Sequence, residues 1–144
     1  MRIKDMDQME LGLDMSLLWN RMCFSRAVSR TGGLVMDDND GRLVFCLRDI
    51  RFFMEAGPSP LFRITARVSI PEGMTGVFRG AVVHCIPSFT SVDLSMEAAG
   101  HSVDISCLGF AYNDHDLDEA IDRMTSQISN AASVLSWRAA VMAR

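Results

Sequence analysis

His101-Ser102-Val103-Asp104-Ile105-Ser106-Cys107-Leu108-Gly109-Phe110 runs into an acidic turn, Asn113-Asp114-His115-Asp116, and then into a long amphipathic segment ending at Arg144. The first stretch has strand character, with Val103, Ile105 and Cys107 on one face. Beyond the turn, Leu117, Ile121, Met124, Ile128, Ala131, Leu135 and Met142 fall on one helical stripe, broken only near Arg138. Asp116 can cap this helix, and Glu119 three residues later would complete a capping box. Val134, Trp137 and Val141 add a second stripe over the last turns, which predicts cover on two sides, by the first helix or by another subunit. A strand leading through a turn into a long one-sided helix predicts an α+β fold in which the helix covers a sheet.

Upstream, Phe89 to Met96 alternates, with Val92, Leu94 and Met96 inward and Ser91, Asp93 and Ser95 outward, and Ala98-Ala99-Gly100 turns the chain. Met74, Val77, Phe78, Ala81, Val82 and Cys85 recur at spacings of three and four between Pro71-Glu72-Gly73 and Pro87. That predicts a short helix, weakened by Gly76 and Gly80. The clearest strand carries Phe62, Ile64, Ala66, Val68 and Ile70 on one face and Arg63, Thr65, Arg67 and Ser69 on the other. The first of these faces is core; the second belongs to solvent or to a partner.

Gly33–Met36 and Arg42–Leu47 read as a hairpin across Asp37-Asp38-Asn39-Asp40-Gly41, since Asp-Gly suits a turn that needs positive φ. The second strand is expected to continue through Ile50 and Phe52, with a bulge at Arg48-Asp49, up to the turn Ala56-Gly57-Pro58-Ser59-Pro60. Near the N-terminus Met9, Leu11, Leu13, Met15 and Leu17 alternate like a strand, yet Met6, Met9, Leu13 and Leu17 also share a helical face. Residue type favours the helix, and whether it runs through Phe24 and Val28 to Gly32-Gly33 is open. The expected order is helix, three strands, helix, two strands, long helix, in a single domain over 1–144 with an antiparallel sheet of about five strands.

The chain has 144 residues, 49% hydrophobic and 22% charged, which suits one globular domain and excludes wholesale disorder. Its net charge of −4 is uneven: residues 71–144 carry nine acidic and four basic side chains. That balance argues against nucleic-acid binding, which needs a basic face. No apolar run approaches the ~20 residues of a membrane span. The charged N-terminus lacks a signal-peptide pattern, so a cytoplasmic location is expected. Cys23, Cys46, Cys85 and Cys107 are scattered among apolar neighbours without zinc spacing, as buried free thiols would be.

Candidate chemistry is sparse. Asp37-Asp38-Asn39-Asp40-Gly41 has the content of a calcium loop, but with Gly41 in the glycine slot the first and twelfth ligand positions are Met36 and Leu47. Asp114-His115-Asp116-Leu117-Asp118 has metal-ligand types that a helix start explains without metal. His84-Cys85 and His101 with Cys107 supply the parts of a thiol nucleophile without an arrangement, and the alternative reading is a small enzyme with a dispersed site around His84, His101 and Asp104. No nucleotide-binding or nucleophile-elbow motif occurs, and no cofactor is expected.

The element order resembles the class I type III secretion chaperone fold and the related YbjN group of bacterial proteins. The likeness is carried by Ser102–Phe110, the turn Asn113–Asp118, the helix Leu117–Leu135 and the first hairpin, Gly33–Leu47. It implies a non-catalytic protein, homodimeric or monomeric, that binds another polypeptide. The contacts it implies are Val77, Phe78, Val82 and Leu94; Trp137 and Val141 on the second helical stripe join them as candidate partner or dimer contacts.

Overall fold

The computed structural model describes residues 21–36, 42–58 and 60–144. The alternating segment near the N-terminus and the tip Asp37–Gly41 lie outside these residues. Helix α1, Arg21–Arg30, leads to strands β1 (Leu34–Val35), β2 (Leu43–Leu47), β3 (Ile50–Ala56) and β4 (Leu61–Ser69). Helix α2, Thr75–Cys85, and a 3-10 turn, Ile86–Ser88, precede β5 (Asp93–Met96), β6 (Ser102–Phe110) and α3 (Asp114–Met142). The six strands form one antiparallel sheet in the order β1-β2-β3-β4-β6-β5.

The α+β class and the order of elements are as the sequence predicts, with one strand more. The extra strand comes from Arg48-Asp49, which is a reversal and not a bulge. Leu47 pairs with Ile50, and both turn residues have positive φ, 54° and 64°. That is a two-residue turn of type I′ handedness, built without the usual glycine. Alternation was misleading because β2 and β3 keep apolar side chains in register on both sides of the turn. Across α3 the turn is held by Arg48, whose guanidinium donates to Asp122 Oδ1 at 3.0 Å and to Thr125 Oγ1 at 3.3 Å.

α1 ends on glycine for a specific reason. Gly32 has φ +94°, its N–H donates to Ser29 O, and the N–H of Gly33 donates to Val28 O. This pair of bonds is a Schellman stop, which satisfies carbonyls that the helix end would leave bare. The bidentate pair Arg30–Asp118, 2.8 and 2.9 Å, then fastens this end to the N-terminal part of α3.

α3 begins earlier than the sequence suggests. Its cap is Asn113, whose side chain accepts from the N–H of Asp116 at 2.8 Å; Asp116 sits inside the first turn. Asn in the extended conformation before a helix competes well with Asp for this role. The buried stripe is Leu117, Ile121, Met124, Ile128, Ala131, Leu135 and Ala139, so Ala139 bridges the turn near Arg138 that appeared to be missing.

All three helices among the described residues pack on one side of the sheet. The row Phe45, Phe52, Ala66, Ile105 and Leu94 runs across five strands on that side. Phe62 meets Phe24 of α1 at 5.9 Å between ring centroids. α2 lies on the C-terminal half of α3, where Met142 approaches Gly80.

Candidate interaction surface

The neighbouring rows point the other way, to a face on which no described element packs. One row is Val44, Phe53, Thr65, Ser106 and Asp93. A second is Glu55, Arg63 and Leu108, and a third Arg67, Asp104 and Ser95. Arg63, Thr65 and Arg67 face away from the core, as the alternation along β4 predicts. Val44 is nonetheless buried at 6% exposure, between Phe53 on β3 and Met36, whose N–H donates to Val44 O.

Charges on this face are partly satisfied internally. Arg67 donates to both carboxylate oxygens of Asp104, at 2.8 and 3.3 Å, which raises the guanidinium pKa further. Arg42 stacks on Phe53, 4.7 Å from the ring centroid. At one end the face becomes apolar: Leu108 and Phe110 are 59% and 60% exposed, and Phe110 meets the exposed Tyr112 edge-on at 6.0 Å. The signal was present in the sequence. On β6 the outward positions run Asp104, Ser106 and then switch to Leu108 and Phe110, a break in alternation that burial cannot explain.

The candidate contacts named from the sequence divide by accessibility. Phe78 and Val82 are buried at 5% and 7% in the core, where α2 packs against α3 and the sheet. Val77 and Leu94 are half-buried against the same core. Trp137, at 61% exposure, and Val141, at 37%, remain open. α1 is tied by Arg30 to Asp118 near the start of α3, and the second stripe is exposed at Trp137. Val83 and Ile86, at 64% and 51% exposure, are further open apolar residues on and just after α2.

Of the residues named for a dispersed enzyme site, His84 and His101 are exposed and Asp104 is half-buried. Asp104 is held by Arg67, and exposed His101 lies 3.9 Å from Glu97. Cys85 and Cys107 are buried, and loss of water pushes both thiols up, away from the thiolate form. Among the described residues no group of three or more His, Cys, Asp or Glu side chains could hold a metal, and no helix is long and apolar enough to cross a membrane.

No family model and no curated protein matches the sequence. Solved structures do match the fold. An uncharacterised protein from Methanothermobacter thermautotrophicus superposes with a TM-score of 0.58 at 17% identity, covering 83% of this chain and 95% of its own. YbjN from E. coli, described as a candidate transcription regulator, superposes with a TM-score of 0.58 at 9% identity, covering 74% of this chain and 84% of its own. At these identities the likeness is one of fold: the chain has a YbjN-like α+β fold.

Proposed function

We propose that this protein is a non-catalytic, regulatory binding module that engages another polypeptide through the face of its sheet on which no described helix packs. The observation that carries this reading is the apolar end of that face, where Leu108, Phe110 and, just after the strand, Tyr112 are each about 60% exposed. Exposed apolar side chains beside polar sheet rows suit capture of an extended chain. The YbjN-like fold and the resemblance to type III secretion chaperones support the same use, since neither depends on catalytic residues.

A second surface favours self-association. α2 and α3, which meet at Gly80 and Met142, carry Val83, Trp137 and Val141 exposed, the composition expected at a two-fold contact. Light scattering after size exclusion tests this arm. A dimer that Trp137→Glu converts to monomer is expected; a monomer throughout removes it.

Site-specific photocrosslinking in the native host tests the main reading. A photoreactive phenylalanine at Leu108 should give one defined polypeptide adduct, and the same group at exposed Asn130 on α3 should not. No adduct at Leu108, or the same scatter at both positions, rejects it.

A further inference from the structure

On the sheet face that no described helix covers, two hollows share a wall. One, of about 380 Å³, lies between the β3–β4 turn and Leu108 and is lined by Ala56, Pro58 and Leu61. The other, of about 280 Å³, lies over Thr65 and Ser106 among Arg42, Arg63 and Arg67. Glu55 and Arg63, directly opposite one another on β3 and β4, line both.

The three arginines are not equally available. Arg67 is committed to Asp104. Arg42 is stacked on Phe53, and its Nε is buried without an acceptor. Among the described residues neither Arg42 nor Arg63 has a hydrogen-bonded or ion-paired side-chain partner. The stack holds one guanidinium in place, so little rotamer freedom is lost when it receives a planar anion. In a chain of net charge −4, this hollow places three arginines against Glu55 and Asp104.

We infer that this face recognises an extended polypeptide segment in which an apolar side chain and a carboxylate stand two residues apart. This rests on the reading of the protein as a polypeptide binder and names what it binds. Residues i and i+2 of an extended chain project to one side about 7 Å apart. Leu108 and Ser106, which mark the apolar and the arginine-lined hollows, have that same two-residue spacing along β6. The apolar side chain enters the groove beside Leu108, and the carboxylate takes the open donors of Arg42 and Arg63. Glu55 opposes that carboxylate and thereby sets a ceiling on affinity. A nucleic-acid backbone is disfavoured, because Glu55, Asp93 and Asp104 stand on the same face.

Fluorescence anisotropy with short labelled peptides tests the assignment, using a Gly/Ser background with a central Leu-Ser-Glu, Leu-Ser-Gln or Leu-Ser-Lys. A charge-assisted pair should make the Glu peptide bind about tenfold tighter than the Gln peptide, and raised salt should weaken it. Arg42→Gln and Arg63→Gln should each lose about tenfold, whereas Glu55→Gln should bind severalfold tighter, a gain that loss of structure cannot mimic. Equal binding of Glu and Gln peptides, or weaker binding by Glu55→Gln, overturns the inference. So does binding of labelled single-stranded DNA in place of the peptides. No peptide binding, with the Leu108 photocrosslink intact, overturns this inference alone; loss of both overturns the proposed function as well.

Discussion

Gly109 on β6 makes room for Met124 of α3: a Cβ at Gly109 would stand 2.5 Å from the Met124 sulfur and 3.0 Å from Cζ of Phe62. The longest helix reaches the sheet here because one residue has no side chain. Gly109→Ala should therefore overpack the centre of the core and cost about 1–3 kcal/mol, toward the low end because the methionine tip can shift. Chemical denaturation measures this directly, and an unchanged midpoint would contradict the packing described.

The cap of α3 separates two assignments that differ by three residues. Asn113→Ala removes the side chain that accepts from the Asp116 N–H and should cost about 1 kcal/mol. Asp116→Ala removes only a favourable charge in the first turn and should cost about 0.3–1 kcal/mol, mostly lost at high salt. Equal, salt-independent losses in thermal unfolding would argue for Asp116 as a second cap.

Arg48 and Asp49 pay backbone strain at the β2–β3 turn, both standing at positive φ. Left-handed backbone costs an ordinary residue roughly 1–2 kcal/mol. Asp49→Gly should relieve part of it and raise stability by about 0.5–1 kcal/mol, some of the gain being offset by the freer unfolded chain. Arg48→Gly should gain less, because it also removes the bonds to Asp122 and Thr125. Urea midpoints of the two variants should fall in that order.

Stability should decline as pH rises above about 8.5, the ordinary thiol pKa. Burial raises Cys85 and Cys107 in the folded chain, so the unfolded chain releases its thiol protons first. Between the unfolded and folded values the native state binds more protons, and stability then falls with pH. Below that window both states keep the protons and the thiols contribute no slope. The urea midpoint followed from neutral to mildly alkaline pH should show the decline, and Cys107→Ala should flatten it. A flat profile in the parent protein would mean that these thiols are not protected.

Much of this architecture was legible beforehand because it repeats along the chain. The stripe through Leu117, Met124 and Leu135 has the helical period, and Phe62, Ile64 and Ala66 have the strand period. What escaped was local or depended on distant neighbours. Arg48-Asp49 lacks glycine, so its reversal looked like a bulge, and the ties from Asp122 and Thr125 that hold it lie more than 70 residues away. Asn113 was passed over because an acidic cluster beside it offered an equally good cap. Ala139 was missed because a methyl group hardly registers in a hydrophobic pattern, although it is 1% exposed.

The candidate surface divides in the same way. Arg63 and Arg67 could be assigned to the outer face of β4 from alternation alone. Their companionship with Arg42, Phe53 and Ser106 could not, because strand order β3-β4-β6-β5 is set by which edges pair after α2 has carried the chain across. Phe78 and Val82 illustrate the converse: periodicity marks them as apolar, but only packing against α3 decides that they are buried in the core. Side-chain period is a property of neighbouring residues and is written in the sequence. Exposure is a property of what lies across the gap, and it comes into being only when the elements assemble.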